Sequence, residues 1–384
     1  MTDLILKGGR LIDPASGRDE TADIAFGDGK VIEIGRDLPS DGAQVVDARG
    51  LLVVPGLIDL HTHVYWGGTS LGVDAVEVAR RSGTTTFVDA GSAGSGNFHG
   101  FRRHVIEQLP LRIIPFLNIS FPGIFAFGTG VMVGECADLR LLDPRECVRV
   151  INANRELIAG VKVRVGRNAG GASGVAPLDM ALEVAEETGL PVMAHLDNPP
   201  PSRLEVLSRL RRGDILTHCF RPFPNAPVQG GGRIREEVLE ARRRGVIFDI
   251  GHGSGSFGFR TAEAMLAAGF LPDVISSDVH TLSINGPAFD QLVTMSKFLC
   301  LGMSLVEVIR ASTTAPAAAL GRTDIGTLAI GAVGDATPLE LAEGEFEYRD
   351  VLGETRKGRQ QLKTRGLVVA GRCWHPTDLD QMLI

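Results

Sequence analysis

Apolar positions along the chain change their spacing twice. Residues 1–55 read as short alternating strands separated by turn residues, in "LILKGGRLID", "TADIAFGDGKVIEIG" and "AQVVDARGLLVV", with Asp28-Gly29 marking a hairpin. From residue 56 to about 320, brief aliphatic and β-branched runs alternate with helical periodicity. There are eight such runs: "GLIDLHTH", "TTTFVDAG", "LRIIPFLNIS", "GVKVRVG", "LPVMAHLD", "GDILTHCF", "GVIFDIGHG" and "DVISSDVH". Between them, 72–83, 143–160, 177–189 and 234–245 carry helical spacing, several with an acidic or proline start and a glycine stop. Eight strands, each followed by helix-compatible sequence, predict an α/β protein built as a (β/α)8 TIM-like barrel. A doubly wound sheet is the alternative, but it does not call for eight equivalent strand ends carrying polar residues. After Leu320 the strand-and-turn texture returns, in "DIGTLAIGAVGDATPLEL", "EFEYRDVLGETRK" and "TRGLVVAGRCW". Residues 1–55 and 321–384 are therefore expected to complete one small composite β-sandwich domain beside a barrel of residues 56–320.

Composition narrows the setting. The 39 basic and 46 acidic residues leave a formal charge of −7, and no Lys/Arg block suggests a nucleic-acid partner. The five cysteines are scattered and odd in number, without CxxC spacing, so neither a disulfide framework nor a thiolate zinc knuckle is expected. The start "MTDLILKGGRLID" lacks the pattern of a signal peptide, and no apolar run is long enough to span a bilayer. A cytoplasmic protein without a membrane partner is the expectation, and its helical exterior leaves room for a homo-oligomer.

The chemistry gathers at strand ends. Strand alternation turns residues i and i+2 the same way, so His61 and His63 should leave the first barrel strand together on the catalytic face. Two such imidazoles can chelate a divalent metal, although an HxH pair alone is as well explained by chance or by hydrogen bonding. His195, His218 and Asp278 then close the fifth, sixth and eighth strands, and five polar terminations make a nitrogen and oxygen donor set suited to zinc or a similar ion. In "GVKVRVG", Lys162 and Arg164 share one face of an apolar run. A structural ion pair is one reading of Lys162. The other is an amine whose pKa is lowered by burial, which could take up carbon dioxide as a carbamate with two anionic oxygens able to bridge two metals.

The set "GLIDLHTH", "GVKVRVG", "MAHLD", "LTHCF" and "SSDVH" resembles the amidohydrolase superfamily of binuclear metallohydrolases, over the whole barrel. The resemblance implies two divalent ions, zinc foremost, with His61, His63 and Asp278 on the more buried one, His195 and His218 on the more exposed one, and carboxylated Lys162 bridging. It also implies attack by a metal-bridging hydroxide with Asp278 as general base and then acid. "TTTFVDAGSAGSGNFHGFR", "DIGHGSGSF" and "TMSK" are similar to the deacetylase-like branch, whose members often carry dihydroorotase labels. That branch implies hydrolysis of an acetyl ester or amide of a small α-substituted carboxylate, of the acetyl-mandelate or N-acetyl-D-amino-acid kind.

Dihydroorotases place an arginine two residues after the second HxH histidine, where this chain has Tyr65. That departure weighs against a cyclic amide hydrolase of the dihydroorotase or hydantoinase kind. It leaves Arg164 as the candidate for the substrate carboxylate, with Tyr65, His252 and His280 as further substrate-binding candidates. Ordinary structural roles compete at each of these positions, and at His99 and His104 beside the glycine-rich loop. The non-enzymatic alternative, an inactive binding barrel, would predict a broken ligand set, yet all six positions are filled. Cys219, next to His218, should face away from the site as an inert thiol, and the absence of a GxSxG motif removes support for a serine esterase.

Overall fold

The computed structural model describes residues 2–375; residues 376–384, the end of the segment assigned to the small domain, lie outside the described residues. The N-terminal strands are β1 (Leu4–Asp13), β2 (Arg18–Gly27), β3 (Lys30–Gly35), β4 (Gln44–Asp47) and β5 (Leu52–Pro55). Asp28 and Gly29 both adopt positive φ, 50° and 72°, which is what a two-residue hairpin needs to bring Gly27 opposite Lys30. The barrel strands follow: β6 (Leu57–Thr62), β7 (Thr84–Gly94), β8 (Arg112–Asn118), β9 (Gly160–Val165), β10 (Val192–Leu196), β11 (Ile215–Leu216) and β12 (Ile247–Phe248). The C-terminal strands are β13 (Ala336–Arg349), β14 (Thr355–Thr364), β15 (Leu367–Val369) and β16 (Arg372–Trp374).

Both ends of the chain meet in one nine-stranded mixed sheet, ordered β16-β15-β13-β5-β1-β2-β3, with β14 on β13 and β4 on β1. The join is the antiparallel pairing of β13 with β5, from Ala336 opposite Pro55 to Leu339 opposite Leu52. Leu4, Leu6, Ile24, Phe26 and Val53 from the N-terminal strands share an apolar cluster with Ala336 and Val368. Neither half could bury that cluster alone, which is why the segments associate.

Strands β6 to β12 form a seven-stranded parallel sheet in chain order. The eighth aliphatic run closes it through two parallel bridges, Val274 to Asp249 and Val279 to Thr62, without forming a continuous ladder. Side chains take over there. Asp59 accepts hydrogen bonds from the Ser277 backbone N–H and hydroxyl, and Asp278 N–H donates to His61 C=O at 2.7 Å. The barrel interior is filled by Ile58, Leu60, Val88, Ala90, Ile114, Phe116, Met193 and Ile215.

Simple alternation does not survive along β6. Asp59 pairs with Phe87 and Thr62 with Asp89, so three steps of β6 meet two of β7. This bulge changes the phase of the strand, letting Ile58 and Leu60 fill the interior below while His61 and His63 line the mouth above. Helices stand at Ala75–Ser82, Pro144–Ala153, Ala176–Thr188 and Glu236–Arg244. The second is shorter than its sequence pattern. Asn154 returns its side-chain amide to Val150 C=O, and Ala159 N–H is already committed to Pro115 C=O of β8. Among the described residues no helix is long and apolar enough to cross a membrane.

Burial pushes the Asp59 carboxyl up to about 8, against the hydrogen bonds from Ser277. Replacing Asp59 by alanine leaves both Ser277 donors without their acceptor inside the barrel wall. Urea unfolding should then show a loss of about 2 kcal/mol or more. An unchanged midpoint would mean that the eighth run closes the barrel without this contact.

Candidate active site

The C-terminal ends of the barrel strands enclose a cavity of about 120 Å³ lined by His61, His63, His195, His218, Asp278 and His280, with Arg164 and Arg221 at its margin. The turn after β8 covers one side. Ser70 holds it by donating to Phe125 C=O and accepting from Phe127 N–H, which brings Phe127, Met132 and Val133 against the opening.

His61, His63 and His218 are each oriented by the nitrogen that does not face the cavity. Thr217 donates its hydroxyl to Asp249 at 2.6 Å, so its oxygen can only accept from His61 Nδ1–H at 2.7 Å. His218 Nδ1 lies 2.6 Å from Gly251 C=O, a group that only accepts. Both contacts put the proton on Nδ1 and leave the Nε2 lone pair toward the cavity. His63 Nδ1 contacts Ser92 Oγ at 2.9 Å, and Ser92 N–H is anchored on Asp89. His195 presents Nδ1 instead, 2.6 Å from His218 Nε2. Burial drives all four imidazoles well below their ordinary pKa, His63 to about 3, so they are neutral and able to bind a cation.

Asp278 faces this group. Its Oδ1 lies 3.4 Å from His61 Nε2 and 3.3 Å from His63 Nε2, and burial raises its carboxyl to about 6. His61, His218 and Asp278 each offer one donor atom within 4.8 Å of the others, all three residues being buried, which fits a divalent cation. Both His218 and Asp278 sit at positive φ, 64° and 48°, a conformation costing non-glycine residues about 1–3 kcal/mol and concentrated at functional sites.

Lys162 is fully buried, with Nζ 3.4 Å from His61 Nε2. Burial pulls its pKa down to about 7, and among the described residues no carboxylate lies within ion-pair distance of it. Its stem passes Gly91, where an added Cβ would sit 2.5 Å from Lys162 Cγ. Glycine there keeps the channel open.

The structure brings His61, His63, Lys162, His195, His218 and Asp278 together, with His280 at the cavity edge, its ring 6.2 Å from His63 and 5.5 Å from Phe127. Arg164 also reaches the cavity, but Nε and Nη2 are held by Glu135 at 2.7 and 3.0 Å under the Phe127 ring. Two substrate-binding candidates, Tyr65 and His252, do not line this cavity. Tyr65 turns from the cavity to stack on Phe101 at 4.6 Å and donates to Asn97 C=O, because the chain turns tightly over it at Gly68 and Gly72. His252 points down into the fold, stacked on Phe257 and accepting from Lys297 Nζ at 2.7 Å. His99 and His104 are exposed on a helix outside the barrel. Cys219 is buried beside the ligand strand and its thiol is raised well above its ordinary pKa by burial.

Sequence reasoning missed Thr217, Asp249 and Ser276, which orient His61, and Glu135, which pairs with Arg164. Asp249 lies in the seventh run "GVIFDIGHG" and could have been found as one more polar strand end. Glu135 carries no such signal, since it comes from a loop 29 residues before its partner.

Known proteins bear on this arrangement. The model of the Amidohydrolase family matches residues 52–207. A protein named deacetylase from Brucella anthropi is 36% identical over 354 residues, spanning 91% of this chain and 87% of that protein. Another deacetylase, from Agrobacterium fabrum, is 36% identical over 345 residues, spanning 89% and 84%. A crystal structure described as a dihydroorotase superposes with a TM-score of 0.90 at 33% identity, covering 97% of this chain and 98% of the other.

Divalent-ion content checks the donor assignment. Alanine at His61 or His218 should lower the metal bound per chain by half or more in elemental analysis. Alanine at His252 should leave it unchanged, and equal losses from all three would count against the donor set.

Proposed function

The chain belongs to the amidohydrolase superfamily, and from that premise we propose that it is a deacylase removing an acetyl group, as ester or amide, from a small α-substituted carboxylate. The observation that carries this reading is the convergence of buried His61, His218 and Asp278 on one point, within a chain alignable over about nine-tenths of its length with proteins named deacetylases.

In this reading His61, His63 and Asp278 would hold one divalent ion and His195 and His218 a second, and Lys162 would contribute as a carbamate. Zinc suits this nitrogen and oxygen donor set. Two bound ions supply an activated water and polarise the acyl carbonyl. The protein's own groups do the rest. With its pKa pulled down to about 7, Lys162 has a substantial neutral fraction, whose lone pair can form the N–C bond to carbon dioxide with loss of one proton. Asp278, raised to about 6, is placed to accept the proton of the attacking water on a carboxylate oxygen and pass it to the departing oxygen or nitrogen. Leu71, Phe127, Met132 and Val133 wall the cavity with apolar surface and limit entry of bulk water.

Cyclic amide hydrolysis is supported by the likeness to the structure described as a dihydroorotase. Against it stands residue 65, where the structure has a tyrosine turned away from the cavity. Cys136, Cys147, Cys219 and Cys300 are free thiols, which supports a reducing compartment such as the cytoplasm.

Replacing Asp278 by asparagine should lower kcat by about a thousandfold while the circular dichroism spectrum stays native. Activity within a factor of ten of wild type would remove Asp278 as the proton carrier. A panel of O-acetyl and N-acetyl α-substituted carboxylates, assayed beside dihydroorotate and hydantoins, tests the substrate class. Turnover confined to the cyclic amides would replace the deacylase reading.

A further inference from the structure

Two guanidinium groups reach the cavity, and they are in opposite circumstances. Arg164 is held through two nitrogens by Glu135 and capped by Phe127, so its charge is already neutralised and its fork occupied. Arg221 is half-buried, and its hydrogen bond is to the neutral hydroxyl of Ser256 at 3.1 Å. Among the described residues no carboxylate lies within ion-pair distance of it. Asp197 and Asp278 attract it from farther away, but Asp197 is committed to the backbone N–H groups of Asn168 and Ala169. Asp278 belongs to the cation-binding cluster.

The backbone explains how Arg221 gets there. His218 adopts positive φ, Cys219 N–H stays on the barrel through Asp249 C=O, and Arg221 N–H returns to His218 C=O. This turn carries the residue three positions past a histidine of the cluster back over the mouth, where Ser256 from the next strand's loop steadies it. A half-buried guanidinium without a counter-charge costs free energy, and a planar carboxylate is the partner its paired N–H donors match.

We propose that Arg221, rather than Arg164, receives the carboxylate of the substrate and so determines its specificity. The proposal deepens the deacylase reading and rests on it for the identity of the carboxylate. Arg164 is then a positioning residue that fixes the loop of Glu135 and Phe127 beside the cavity.

Calorimetric titration of the metal-loaded protein with mandelate and with mandelamide isolates the carboxylate. Wild type should bind mandelate about 10-fold or more tightly than mandelamide, Arg221→Lys should keep part of that preference, and Arg221→Met should bind both within about 3-fold of each other. In turnover, Arg221→Met should raise KM for O-acetylmandelate far more than it lowers kcat. Should that variant fail to fold, Arg221→Gln keeps a donor for Ser256 and serves the same comparison. The proposal is overturned if Arg221→Met retains the preference, if it weakens both ligands equally, if Arg164→Met erases the preference instead, or if wild type shows none. A wild-type protein that prefers mandelate through Arg221 yet turns over no acetylated carboxylate would remove the deacylase reading and leave the anion site standing.

Discussion

Asp249 is the contact on which the mouth of the barrel depends. Its two carboxylate oxygens accept the hydroxyls of Thr217 and Ser276, each at 2.6 Å, and Thr217 in turn accepts from His61. Four strand ends are thereby tied together: the first through His61, the sixth through Thr217, the seventh through Asp249 and the eighth through Ser276. Burial pushes the carboxyl up to about 6, and hydrogen bonds to a buried charge, worth about 1.5–3 kcal/mol each, oppose that cost. The network closes the barrel where the backbone ladder is thin, and it also settles which nitrogen of His61 faces the cavity.

The same place holds unusual backbone. His218 and Asp278 adopt left-handed conformations at the point where the donors converge. Room is made by what neighbouring residues lack. A Cβ at Gly253 would lie 2.2 Å from Asp278 Oδ2, and one at Gly91 would meet the Lys162 stem. Local strain and missing side chains are thus two parts of one packing solution, in which donor groups displace the hydrophobic filling present lower in the barrel.

Buried positive groups receive three treatments. Lys297 is satisfied by Pro287 C=O, Arg349 C=O and His252, which pins a barrel helix to the edge of the β13–β14 hairpin. Arg164 is neutralised by Glu135. Lys162 and Arg221 have no such counter-charge and stand at the cavity, one beside the donor cluster and one at its rim. Unoccupied charge distinguishes Lys162 and Arg221, which are available to a ligand, from Lys297 and Arg164, whose donors hold the fold together.

The legible part of this protein was what local chemistry imposes. Eight aliphatic runs separated by helical spacing define the barrel, and polar residues ending those runs announce the donor set, because a strand's alternation and its end are written in adjacent residues. The chain ends also read as strands needing each other's apolar surface. Other decisions belonged to the tertiary structure. A bulge in β6 reset the phase that alternation alone assigns to His61 and His63. The helix beginning at Pro144 stopped at Ala153, where Asn154 leaves helical geometry and returns its side-chain amide to Val150 C=O. Tyr65 and His252 turned to Phe101 and Lys297, Glu135 took Arg164, and Arg221 was left facing the cavity. Each of these depends on which distant group supplies a buried polar atom with its partner or an aromatic ring with its contact. Residue order specifies the donors, and only the closed barrel decides which of them remain unpaired.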